Sequence, residues 1–121
     1  FRRVLFRSVS NASNRRIDTN LPIIGKNIFS HESGIHVNGM MKSNQAYEPF
    51  TPDEVGLKRA FPIGKHSGSS TLIYHLKMVG IDPNLQIVQE ILPKVREIVT
   101  NRKKVLSTNE LKELYLCSLD I

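Results

Sequence analysis

His36 and Tyr47 stand eleven residues apart in the stretch Asn27 to Phe50, NIFSHESGIHVNGMMKSNQAYEPF. An imidazole exchanges protons near neutral pH and a phenol donates a hydrogen bond, so a turn joining them would make a proton-handling pair. By residue type alone packing is the commoner role for each, and both readings stand at this point. His31, Glu32 and Ser33 lie just upstream, and two adjacent methionines, Met40 and Met41, just downstream.

Three familiar arrangements fail on spacing. His31-Glu32 followed by His36 resembles a zinc-protease helix, but that motif needs histidines four apart. Five apart places them about 140° around a helix, off a common ligand face. Gly64-Lys65-His66-Ser67 echoes a phosphate loop, yet Arg59 stands where the leading glycine is required. In Gly64-x-x-Ser67-Gly68 the serine is one place late for a nucleophile elbow. What remains of that loop is a turn before a helix beginning near Ser67. Its free amides could hold a phosphate or carboxylate, or simply need capping.

The elements that must position these residues read as helices. Leu21 to Gly25 (LPIIG) is a short apolar run, expected as a brief strand or extended segment. Ser30 is a candidate cap, with Glu32 in the first turn of a helix carrying Ile35, Val37, Met40 and Met41. Gly34 and Gly39 each weaken that helix by ~1 kcal/mol relative to Ala. They suggest either a close approach to its backbone or tight packing. Thr51-Pro52-Asp53-Glu54 opens a short helix stopped by Gly56. Leu72, Ile73, Leu76 and Val79 mark an amphipathic helix ending at Gly80. From Asp82-Pro83 a long helix carries a wide apolar stripe, with Pro93 inside it expected to kink or split it. Ser107 and Glu110 form a capping box that opens a last helix bearing Leu111, Leu114 and Tyr115. The fold class predicted is all-α: about five helices with one short extended segment.

Composition narrows the function. With 121 residues, 40% hydrophobic and no Trp, the chain suits a small helical domain or part of a larger protein. No apolar run approaches the ~20 residues that span a bilayer, so no membrane partner is expected. The lone Cys117 excludes an internal disulfide and suits a reducing, cytoplasmic setting. The net charge is +6, but Arg2, Arg3, Arg7, Arg15 and Arg16 all precede the first acid, Asp18. Taking those five from 17 basic residues leaves 12 against 11 acids, so the rest is nearly neutral. A nucleic-acid surface would spread its charge over a folded face, and none is expected here.

The blocks FSHESGIHVNGMMK, AYEPFTPDEVG and GKHSG, at this spacing, resemble the carboxy-terminal half of the acyl-CoA–2-oxo acid condensing enzymes. That family includes the homocitrate, 2-isopropylmalate and citramalate synthases. The resemblance runs from about Val9 to KKVLSTNELKEL, roughly nine-tenths of the chain. It is greatest to the short homocitrate synthases associated with nitrogenase cofactor assembly. It implies an absent amino-terminal (β/α)8 barrel of ~250 residues. That barrel would hold a divalent metal (Mg, Mn or Zn), an arginine and a catalytic glutamate, and no cofactor is expected on the present chain. Acetyl-CoA is the implied co-substrate and a 2-oxo acid the acceptor. The helical extension would reach over the barrel of the other subunit in a homodimer, with His36 and Tyr47 as its catalytic residues in homocitrate synthesis. The alternatives are a 2-isopropylmalate, citramalate or Re-type citrate synthase fragment, or a non-catalytic helical dimerisation module. His31, Glu32 and Ser33 would order the helix start and its contact with the partner.

The implied division of the chain is a disordered or foreign segment 1–20, an active-site helical subdomain 21–63, and a C-terminal helical subdomain 64–121. Phe1 to Ser8 has no counterpart in the resemblance. Ser43-Asn44-Gln45-Ala46 departs from the family's expected Asn-Pro-x-Thr before the tyrosine, which bears on that loop's rigidity. The fragment alone is expected to be inactive and to self-associate through exposed apolar surface.

Overall fold

The computed structural model describes residues 2–43 and 47–119. The departure at Asn44, Gln45 and Ala46 therefore lies outside the described residues. Five α-helices follow in order: α1 Arg2–Ser13, α2 Gly34–Lys42, α3 Ser69–Met78, α4 Leu85–Arg102 and α5 Thr108–Leu119. A 3-10 turn spans Pro52–Val55. Among the described residues there is no sheet, only the isolated bridges Ser30 to Ala60 (parallel) and Ile63 to Leu106 (antiparallel).

α3, α4 and α5 pack around one core. Val88, Ile91, Val95 and Val99 recur at helical spacing on α4 and meet Leu72, Leu76, Leu111, Tyr115, Ile63 and Leu106. Burying side chains of this size is worth ~1.5–3 kcal/mol each before entropy is charged against it. A second, smaller cluster joins Val37 and Met40 of α2 to Phe61, with Tyr74 of α3 packed against it. α3 is thus shared, with Leu72 and Leu76 in one cluster and Tyr74 against the other.

The helix ends follow local rules. The Asn84 side chain accepts from the Gln86 amide at 2.9 Å and caps α4. α3 closes with Ile81 N–H bonding to Leu76 O and Gly80 N–H to Lys77 O, with Gly80 at φ 78°. At α5, Glu110 accepts from the Ser107 amide (2.8 Å) and hydroxyl (2.9 Å), the capping box read from the sequence.

Three expectations are corrected. Residues 2–13 are not disordered: they form α1, ended by Asn14 in the left-handed region at φ 54°. Asn tolerates that conformation, and the Arg3 guanidinium of α1 donates to Gly56 O. LPIIG is a turn rather than an extended segment, with Gly25 N–H bonding to Leu21 O and Ile24 buried. Thr19 O passes so close to Gly25 that a Cβ there would lie 2.4 Å from it, which only glycine permits. Pro93 does not split α4, whose helix is continuous over 18 residues. Pro93 and Gln89, whose carbonyl loses its partner there, are both exposed, so water can take the missing donor's place.

Backbone and hydroxyl hydrogen bonds from Ser107, with the Arg102 guanidinium beside them, pull the Glu110 carboxyl from 4.5 down to about 2. A carboxyl depressed on folding stabilises above its unfolded value and loses that contribution as pH falls through the folded one. Urea unfolding of the intact chain and Glu110→Gln should differ above about pH 4.5 and converge towards pH 2. An unchanged difference across that window would contradict the assignment.

Candidate functional site

The site is built where the HESGIH and GKHSG blocks meet. Ser30 pairs with Ala60 in an isolated parallel bridge, with Ala60 N–H donating to Phe29 O (3.0 Å) and His31 N–H to Ala60 O (2.9 Å). This pairing holds Ser30 out of the helix, so α2 starts at Gly34 after Ser33. The expected cap at Ser30 and the place of Glu32 in the first turn are therefore corrected.

Glu32 instead reaches across to the second loop, where its Oε1 accepts the His66 amide at 2.9 Å. Gly64 leaves room for it, since a Cβ there would lie 2.2 Å from the carboxylate. The anion held by a backbone amide of the GKHSG loop is thus the chain's own carboxylate. Buried Ser67 closes the same loop, its Oγ accepting from Gly64 N–H (2.9 Å) and donating to Pro62 O (3.2 Å). Arg96 of α4 donates to Ser67 O through both Nε (3.2 Å) and Nη2 (2.8 Å). Beside these bonds Gly34 and Gly68 touch backbone to backbone, and a Cβ on Gly34 would lie 2.8 Å from Gly68 Cα.

So anchored, α2 presents its buried side, Val37 and Met40, to the core and leaves His36 exposed. The Tyr47 ring lies against it, with centroids 4.7 Å apart and planes at 45°. Gly39, one turn along α2, makes the space, because a Cβ there would lie 2.5 Å from Tyr47 Cε2. The structure thus brings together the two residues singled out by type, and leaves Tyr47 48% exposed. His31 stands behind them, its ring perpendicular to that of His36 at 6.4 Å.

No group of three or more His, Cys, Asp or Glu side chains converges among the described residues. Glu48 is bound to Arg59 by three hydrogen bonds of 2.7–3.0 Å. No helix among the described residues is long and apolar enough to cross a membrane.

A family model described as homocitrate synthase post-HMGL domain-like matches residues 23–103. The chain belongs to this family. It is 45% identical to homocitrate synthase AksA of Methanocaldococcus jannaschii over 78% of the chain and 23% of that protein. It is 43% identical to 2-isopropylmalate synthase 2 of Caldanaerobacter subterraneus subsp. tengcongensis, over 91% of the chain and 30% of the relative. Homocitrate synthase 1 of Nostoc sp. is 40% identical over 88% of the chain and 28% of its own length. The chain spans about a quarter to a third of these relatives.

Within this homocitrate synthase family domain, sequence reasoning did not single out Glu48, Arg59 or Arg96. Glu48 was visible only as part of the YEP block, and nothing local signals that its charge partner lies eleven residues on. The Gly34–Gly68 contact yields a direct test. Gly34→Ala gains helix propensity but drives a methyl into the backbone of Gly68. It should destabilise the chain by roughly 1–3 kcal/mol in chemical denaturation, the usual cost of overpacking. A neutral or stabilising result would show that the two loops are not in contact.

Proposed function

We propose that this chain supplies His36 and Tyr47 to the active site of a Claisen-type condensing acyltransferase whose barrel lies elsewhere in the protein. The favoured reaction is that of homocitrate synthase, acetyl-CoA and 2-oxoglutarate giving homocitrate and CoA. The observation that carries this reading is the exposed His36–Tyr47 pair at 4.7 Å. Ile35, 77% exposed, and Met41 lie on the same helix, and apolar surface beside a polar pair suits a site completed by another surface. The other surface in this reading is the barrel of the partner subunit in a homodimer.

The chemistry follows from what the pair can do. The acetyl-CoA methyl must lose a proton, its C–H electron pair becoming the enolate that attacks the keto carbon of the 2-oxo acid. Hydrolysis of the resulting thioester then releases CoA and makes the sequence irreversible. A proton next to a thioester is weakly acidic, so the step needs a positioned base and a donor at the developing oxyanion. His36 relays the proton with a carboxylate of the barrel, and Tyr47 donates to the enolate or alkoxide oxygen. The Caldanaerobacter relative supports a 2-isopropylmalate reading of the same chemistry, with a different oxo acid and an unchanged pair.

The test joins this chain to a family barrel and measures CoA thiol release from acetyl-CoA. The acceptors are 2-oxoglutarate, oxaloacetate, 2-oxoisovalerate and pyruvate, with His36→Ala beside the intact sequence. Release with 2-oxoglutarate, falling at least about a hundredfold in the variant, is expected. Release with another acid would move the substrate and keep the mechanism. A variant as active as the intact sequence would overturn the catalytic reading.

A further inference from the structure

Glu48 follows Tyr47 directly, yet the two side chains have opposite environments. Tyr47 is half exposed, while the Glu48 side chain is only 3% exposed. Its carboxylate takes Arg59 Nε on both oxygens at 3.0 Å and Nη2 on Oε2 at 2.7 Å. This hydrogen-bonded carboxylate also holds the Arg59 guanidinium above its ordinary pKa. On its other side, Oε1 lies 3.6 Å from His31 Nε2, a buried nitrogen with no hydrogen-bond partner among the described residues.

Only the carboxylate is buried, with the Arg59 side chain 28% exposed, so desolvating Glu48 offsets part of the attraction and water screens the rest. The pair's distinctive property is direction: a planar guanidinium and a carboxylate fix each other's position and plane. Here the fixed point is one residue from Tyr47. Arg59 is itself anchored, because the adjacent Ala60 pairs with Phe29 and His31. The Tyr47 ring must drop into the notch over Gly39 to meet His36, and an unanchored segment would sample other placements.

We propose that the Glu48–Arg59 pair is a positioning latch for Tyr47, with His31 closing the other side of the Glu48 carboxylate. Neither Glu48 nor Arg59 touches the reacting atoms. They act through the placement of the phenol against His36. This inference rests on the reading of Tyr47 as a reaction group.

A double-mutant cycle on the chain joined to a family barrel separates the two ideas. The variants are Tyr47→Phe, Glu48→Gln, Arg59→Lys and each latch change combined with Tyr47→Phe, read by kcat, KM for acetyl-CoA and melting temperature. Arg59→Lys keeps the charge and loses the fork, which guards against a Glu48 variant that fails to fold. A latch predicts a kcat fall of about tenfold or more for either change, with KM little altered. With Phe at position 47 the same changes should cost less than about twofold. Falls of equal size in both backgrounds would overturn the latch and leave the pair a fold element. Full activity of Tyr47→Phe would overturn the functional reading and the latch with it.

Discussion

Two loops of this protein can approach only because neither carries a side chain where they meet. Gly34 and Gly68 stack backbone against backbone, and a Cβ on Gly68 would lie 3.1 Å from Gly34 Cα. Glu32 fastens the contact by accepting the His66 amide across Gly64. Arg96 then ties the second loop to α4. Together with the Ser30–Ala60 bridge, this junction fixes where α2 begins and therefore which side of it carries His36.

The junction also couples the two apolar clusters. α3 starts at the loop, contributes Leu72 and Leu76 to the larger core, and sends Tyr74 against Phe61 beside α2. His75 adds a polar tie, its ring nitrogens 2.9 Å from Thr108 Oγ1 and 2.6 Å from Phe61 O. A carbonyl can only accept, so Nε2 carries a proton and donates to Phe61 O. The site segment is thereby held to α3 and α5 by packing and by one imidazole.

Much of the helical frame was legible because its signals are local. The apolar spacing of Leu72 and Leu76, the Gly80 stop and the Ser107–Glu110 box each depend on residues within one or two turns. The misreadings share a different cause. Ser30 and Glu32 look like a helix start, but Ala60 claims the backbone beside Ser30 and His66 claims the Glu32 carboxylate. These partners lie 30 or more residues away, and no spacing rule reaches them. Arg2–Ser13 has no acid in its first turn and no base in its last, and Asn14 alone marks its end, so its helix was not legible. The pairing of His36 with Tyr47 was readable as residue types. Its cause, the missing side chain at Gly39, needed coordinates.

The central claim is that this chain by itself brings His36 and Tyr47 together. Through-space proton contacts in solution test it most directly, with His36 and Tyr47 ring protons assigned in the isolated chain. Ring centroids 4.7 Å apart predict cross-peaks between the imidazole and the phenol ring. Cross-peaks among the buried core side chains of α3 and α4 (Leu72, Leu76, Val88, Ile91 and Val95) report in the same spectrum that the fold is intact. Core contacts present without any between His36 and Tyr47 would contradict the account.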